Sequence, residues 1–229
     1  MSDKSSTGSP YAFYAFYTLY QSFHKSLPEV SFTDVCHKLY PSEEVDTTSS
    51  TSLFITWKKK SRGRGGNGDN YALRGCIGTF AKLPVVTGIE KYSLIAAFQD
   101  RRFPPITASE ISHLKCSCNI LQNFKTIYDG KGDIYDWEVG LHGIELVFKH
   151  PQTGSTCSAT FLPEVIPEQG WDKKETFLNL IEKAGVYAYA KEVLDDYQNH
   201  FLKVIRYEGN KSSLSYAEFE DLMGELDEV

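Results

Sequence analysis

Residues 10–23 read PYAFYAFYTLYQSF, and Phe13, Phe16, Tyr17 and Tyr20 recur at spacings of three and four. That period puts them on one stripe of an α-helix facing a core. Ser9 stands at the cap position and Pro10 at the first helical position. An aromatic cage for a ligand is the sharper reading of the stripe, and core packing the commoner one. Further on the period drops to two: Leu53, Ile55 and Trp57 share one face of a strand over 52–58. A second strand, YALRGCIGTF, covers 71–80, with Leu73, Ile77 and Phe80 as its apolar mass. Between them KKKSRGRGGNGDN is charged and Gly-rich, which predicts a hairpin whose tip, 60–70, is a mobile loop.

Thr87 and Glu90 form a capping-box pattern ahead of a helix with Leu94, Ile95 and Phe98 on its apolar face. Pro104 and Pro105 end that stretch. Thr107 and Glu110 repeat the pattern over a short helix leading into 114–121. There Leu114, Cys116, Cys118 and Ile120 alternate with polar residues, as in a half-buried strand. DGKGD at 129–133 is a turn, and two strands flank the Pro-Gln-Thr-Gly turn at 151–154. Asp172 and Glu175 cap a helix with Phe177, Leu178 and Ile181 inward and Gly185 as its stop. A helix at 188–196, a strand at 201–207 and a capped helix from Ser215 complete the chain. Hairpin-joined strands without repeating βαβ units predict an α+β fold, a mainly antiparallel sheet flanked by helices. No linker is rich enough to separate autonomous domains, so two lobes sharing one core are expected.

A chain of 229 residues suffices for one large domain or two small ones. The net charge of −6 gives no overall pull towards nucleic acid or anionic membranes. The basic tract at 58–64 reads as a solvated loop; nuclear import or an RNA contact is the alternative, with no aromatic interleaved to stack bases. The longest apolar run, YAFYAFYTLY, falls well short of the ~20 residues a membrane span needs, and the N-terminus lacks a secretory layout. A cytoplasmic and nuclear protein is expected. Five cysteines without regular spacing give no disulfide framework. His113 beside Cys116 and Cys118 lacks a second cluster to complete a metal site, so no metal and no cofactor is expected.

The candidate chemistry centres on LRGCIG. A glycine inside a strand marks a bulge or a close approach, and Gly75 and Gly78 bracket Cys76. On a regular strand Arg74 and Cys76 share a face, and Gly78 has no side chain to cover the thiol. A nearby guanidinium favours the thiolate, which is the nucleophile. A structural cysteine on a tightly packed strand is the competing reading. Gly75-x-x-Gly78 lacks the Lys-Ser or Lys-Thr of a phosphate loop. In DRRFPP, Arg101 and Arg102 stand at a helix end, either as a fork for an anion or as complements to the helix dipole. His142, beside Gly143, is an acid/base candidate, and Glu164 in FLPEV is the acid that pairs with this set.

The succession LRGCIGTF, RRFPP, DWEVGLHGI, ATFLPEV and EQGWD resembles the AMME syndrome candidate gene family, the AMMECR domain. The resemblance runs from about the first helix to SYAEF. It implies an α+β fold of two subdomains with the Leu73–Gly78 hexapeptide near the cleft. On that basis the domain covers 9–225, with a flexible 1–8, a tail at 226–229, and 60–70 inserted relative to the usual short turn. In prokaryotes the family occurs beside or fused to Memo-like dioxygenase-fold and radical-SAM domains, a context that suggests an enzyme. The expected function is a cleft enzyme performing group transfer or hydrolysis on an anionic or nucleotide-like substrate. Cys76, His142 and Glu164 supply the chemistry, and Arg74, Gly75, Gly78, Arg101 and Arg102 hold the substrate. The alternative is a non-catalytic module that binds a peptide or a protein partner.

Overall fold

The computed structural model describes residues 9–26, 29–43, 45, 47–61 and 70–227. In chain order the elements are α1 (Pro10–Phe23), α2 (Phe32–Leu39), β1 (Ser50–Lys60), β2 (Tyr71–Pro84) and α3 (Val85–Phe98). A 3₁₀ helix (Ala108–His113), β3 (Leu114–Tyr128), β4 (His142–Lys149), β5 (Thr156–Phe161) and α4 (Val165–Gln169) follow. Then come α5 (Lys173–Lys183), a 3₁₀ turn (Tyr187–Tyr189), α6 (Ala190–Asp195), α7 (Tyr197–His200), β6 (Phe201–Ser215) and α8 (Tyr216–Asp227). The strands form one sheet in the order β2-β1-β3-β6-β4-β5. The β1–β2, β4–β5 and β4–β6 pairs are antiparallel, so the chain has the α+β fold its patterning predicts. The proposed loop at 60–70 lies almost wholly outside the described residues.

The chain divides into two compact units, one of residues 1–120 and 210–229, the other of 121–209. In the first, Ser9 accepts the Ala12 N–H and Pro10 opens α1. The aromatic stripe goes into the core as predicted: Phe16 stacks on Phe219 at 4.6 Å and meets Trp57 edge-on at 5.3 Å. Leu53, Ile55 and Trp57 are fully buried, each worth about 1.5–3 kcal/mol of apolar burial. The Trp57 indole N–H donates to the Ser93 carbonyl at 3.0 Å, so its burial leaves no polar atom unpaired.

Three local readings are corrected. α3 starts at Val85, with no side-chain cap at Pro84, so Thr87 lies inside the helix. Glu90 instead accepts the Tyr14 hydroxyl at 2.8 Å. β3 is not half-buried in this unit: Ser117 and Asn119 are buried along with Leu114, Cys116 and Cys118. α2, which the patterning did not predict, is started by a reciprocal Ser31–Asp34 capping box.

The second unit has its own core, built from Ile144, Leu146 and Phe148 of β4 against Phe177, Leu180 and Ile181 of α5. Asp172 and Glu175 cap α5 reciprocally, and Gly185 at φ +93° ends it, both as the sequence predicts.

Candidate functional site

β2 lies at the end of the strand order, and its pairing with β1 is irregular where the chemistry was expected. Thr56 faces Cys76 and Trp57 faces Gly75, but Lys58 faces Leu73. Arg74 is thus the extra residue of a β-bulge, which takes it out of the strand's alternation. The same-face relation with Cys76 that a regular strand would impose therefore does not hold. Arg74 is buried and its guanidinium grips Glu110 with two bonds, Nε to Oε1 at 3.0 Å and Nη2 to Oε2 at 3.1 Å. It also donates to the Pro104 carbonyl at 2.8 Å and the Pro105 carbonyl at 3.3 Å. Arg74 is a clamp on the Pro-Pro segment.

Glu110 also receives the Lys59 ammonium at 2.9 Å and the Thr107 N–H at 2.9 Å. Burial pushes its carboxyl pKa up, but hydrogen bonds from Arg74, Lys59 and Thr107 outweigh that and bring it down to about 2. The Thr107–Glu110 capping pattern was legible in the sequence. That the same carboxylate anchors Arg74 was not.

A strand at the end of the order has backbone groups without a neighbouring strand to take them. At Cys76 a side-chain pair takes them. Asp100 Oδ2 accepts the Cys76 N–H at 2.9 Å, and Arg102 Nη2 donates to the Cys76 carbonyl at 3.1 Å. Asp100 and Arg102 are themselves joined by Nε–Oδ1 and Nη2–Oδ2 bonds of 2.9 and 2.7 Å. The pair thus supplies the acceptor and the donor that an adjoining strand would. Asp100 is only 5% exposed, and its bond to Arg102 holds its carboxyl well below the usual carboxylate range despite burial. The Arg102 side chain is 56% exposed, so its positive charge is presented beside Cys76.

The two glycines have specific neighbours. A Cβ at Gly75 would lie 2.2 Å from the Ala96 carbonyl oxygen of α3. A Cβ at Gly78 would lie 2.3 Å from the Leu53 carbonyl oxygen and 2.4 Å from the Phe54 ring, which covers the glycine from the paired strand. The close approach that the glycines signalled is made by α3 and by Phe54. Leu73 and Phe80 do not supply core mass, being 41% and 37% exposed.

Cys76 itself is half-buried, and its Sγ accepts the Thr56 hydroxyl at 3.2 Å. Cys36, Cys116 and Cys118 are buried, and burial pushes each of their thiol pKa values up. Cys157, in the second unit, is half-buried like Cys76. Arg101 is exposed next to Arg102.

The structure therefore brings together Arg74, Gly75, Cys76, Gly78 and Arg102. His142 and Glu164 fall in the second unit. His142 is buried; its Nδ1 accepts the Glu138 N–H at 3.0 Å, which leaves Nε2 to carry the proton, 3.8 Å from Glu208. Glu164 precedes the short α4, and its carbonyl accepts the Glu168 N–H at 3.3 Å. Asp100 and Thr56 were missed from sequence. Asp100 had a usable signal, an acid two residues before Arg102 in DRRFPP, whereas Thr56 is found only through strand register.

A family model described as AMMECR1 matches residues 14–212, a span that includes every residue of this site. The chain belongs to the AMMECR1 family. Its relatives include the uncharacterised protein YOR289W of Saccharomyces cerevisiae, 57% identical over 227 residues and covering 96% of this chain and 90% of that one. The uncharacterised protein At2g38710 of Arabidopsis thaliana is 40% identical over 167 residues, 73% of this chain and 72% of its own. Among solved structures, the uncharacterised protein PH0010 from Pyrococcus horikoshii superposes with a TM-score of 0.58 at 22% identity. That likeness spans 90% of this chain and 93% of the archaeal one, and it concerns the fold. For this AMMECR1-family chain no helix among the described residues is long and apolar enough to cross a membrane.

Proposed function

We propose that this AMMECR1-family protein is a cysteine-dependent enzyme acting on an anionic or nucleotide-like substrate, by group transfer or hydrolysis. Cys76 is the nucleophile and Arg102 the cation that receives the substrate's anionic group, with Arg101 beside it. One observation carries this reading: Cys76 is held by both its backbone groups through a salt-bridged Asp100–Arg102 pair while its Sγ stays half-buried and accepts a hydroxyl. Nucleophiles are most effective where the surrounding shell fixes them, and a cation beside a thiol favours the thiolate. Arg74, with its donors on Glu110 and the prolines, serves the site by positioning the Pro-Pro segment. In this mechanism the thiolate attacks an electrophilic acyl or phosphoryl centre, a bond to Sγ forms, and the leaving group departs with a proton. Water or an acceptor then cleaves the bond to Sγ. His142 and Glu164 are proposed as the acid/base groups.

Exposed Leu73 and Phe80, flanking Cys76 on the same strand, favour the second reading, a binding surface for a peptide or protein partner. Activated esters and phosphates, such as carboxylated p-nitrophenyl esters and p-nitrophenyl phosphate, distinguish the two by intact-mass analysis. The enzyme reading expects a covalent adduct on Cys76, lost in Cys76→Ala and formed at higher substrate concentration in Arg102→Gln. Absence of any Cys76 adduct across the panel leaves the binding-surface reading.

A further inference from the structure

A pocket of about 410 Å³ lies between the end of α2 and α8 in the first unit, away from the residues of the proposed reaction. Leu39, Leu214 and Leu222 form apolar walls, and Glu43, Glu218 and Asp221 add carboxylates, with no basic side chain in the lining. Such a cluster of acids is by itself a solvated surface. What sets it apart is Tyr40, which lines the pocket, is 8% exposed, and has a buried hydroxyl without a hydrogen-bond partner among the described residues.

The negative charges that act on that hydroxyl include Glu43 and Glu218, so the phenol is directed at the same carboxylates. Burial, then those charges, push the Tyr40 pKa up, so it remains a hydroxyl able to accept a proton donor. A buried hydroxyl left unpaired is costly, and a ligand that satisfies it recovers that cost. Glu218 uses Oε2 on the Ser215 N–H and hydroxyl, at 2.7 and 2.6 Å, as the cap of α8. Oε1 remains for a ligand. The carboxylates are not spaced to chelate a metal ion. The occupant therefore has to carry positive charge, N–H donors and an apolar stem.

We propose that this pocket binds a primary alkylammonium group, its nitrogen donating to Tyr40 Oη and the carboxylates and its stem lying against the three leucines. The group comes either from a free amine or from a lysine side chain. The proposal is independent of the chemistry at Cys76.

The test uses the whole chain with n-butylamine, cadaverine and N-acetyl-lysine-N-methylamide, against potassium chloride at matched ionic strength. The amines should raise Tm with concentration by mass action, and the salt should not. Glu43→Gln with Asp221→Asn should weaken amine binding, measured by calorimetry, by about tenfold or more, the scale of one lost charged contact. Tyr40→Phe should weaken binding while leaving the unliganded Tm unchanged or raised, because it deletes an unpaired buried hydroxyl. Equal binding of the lysine derivative and cadaverine identifies a lysine side chain as the natural group; a clear preference for cadaverine identifies a free diamine. No amine effect above that of salt, or an equal effect in the double variant, overturns the proposal. So does a Tyr40→Phe protein that is less stable without ligand.

Discussion

Cys76 on β2 and Cys116 and Cys118 on β3 carry the same thiol in the same compact unit, and their surroundings differ completely. β3 is interior to the strand order, with β1 on one side and β6 on the other, and Cys116, Ser117, Cys118 and Asn119 are all buried. β2 ends the order, and at Cys76 the place of a neighbouring strand is taken by the Asp100–Arg102 pair. A strand at the end of a sheet can be covered by side chains that leave a thiol half-buried beside a cation. An interior strand cannot. Position in the sheet, more than the local motif, decides which cysteine is available for chemistry.

The largest effect expected on that contrast comes from the packing that fixes β2. Gly75→Val places a branched side chain where even a Cβ would sit 2.2 Å from the Ala96 carbonyl, so α3 must move off the strand. A loss of about 3 kcal/mol or more is expected in urea unfolding, the upper end for overpacking a rigid neighbour. A Gly75→Val protein of wild-type stability would mean that α3 does not press on the strand. Gly78→Val is expected to destabilise as well, through Phe54 and the Leu53 carbonyl, so lost labelling in that variant would not by itself indicate a blocked ligand.

Next in size is the clamp. Arg74→Ala leaves the mostly buried Glu110 carboxylate with Lys59 as its remaining salt-bridge partner and frees two proline carbonyls. About 3 kcal/mol of stability should be lost, as when one member of a buried pair is removed. A loss below about 1 kcal/mol would place Arg74 among exposed ion pairs and return it to the list of ligand-binding candidates.

The two classes of cysteine should then separate by serine substitution. Cys116→Ser puts a hydroxyl into a fully buried apolar site and should cost about 1–3 kcal/mol. Cys76→Ser keeps the Thr56 hydroxyl as a partner and should cost less than about 1 kcal/mol. Reversed costs would contradict the contrast.

The smallest effect is a pH dependence. The Glu110 carboxyl is held at about 2 in the folded protein, below its unfolded value near ~4.3. Its contribution to stability is therefore complete above about pH 4.3 and is lost as pH falls through about 2. Glu110→Gln should be less stable at neutral pH and should lose less stability than the wild type between those values. Parallel curves for the two proteins would show that Glu110 is not held low.

Much of this fold was legible because its signals are local. Ser9–Pro10 opens α1, Asp172–Glu175 caps α5, and Leu53, Ile55 and Trp57 alternate into the core. α2 was missed although Ser31–Asp34 is a capping box, because only eight residues follow it and its apolar stripe is short. The site was legible as a list of residues and misread as geometry. One unpaired residue at the bulge, Arg74, reverses the face that alternation assigns it, and bulges leave no mark in hydrophobic period. The partners of Cys76 come from positions 20 to 26 residues away, fixed by strand register and by the turn after α3. Nothing in the spacing of LRGCIG announces them.

The central claim is that Cys76 is the available thiol of this unit and the cation beside it activates it. The most direct test is residue-resolved alkylation of the native protein by iodoacetamide, followed by mass spectrometry across pH 5–10, in wild type and Arg102→Gln. Cys76 should label in the folded state with a rate–pH midpoint below the ~8.5 of a free thiol, shifted upward in Arg102→Gln, while Cys116 and Cys118 label only on unfolding. Labelling of Cys76 only on unfolding, at the pace of Cys116, would contradict the claim and leave the strand, its bulge and its glycines as packing alone.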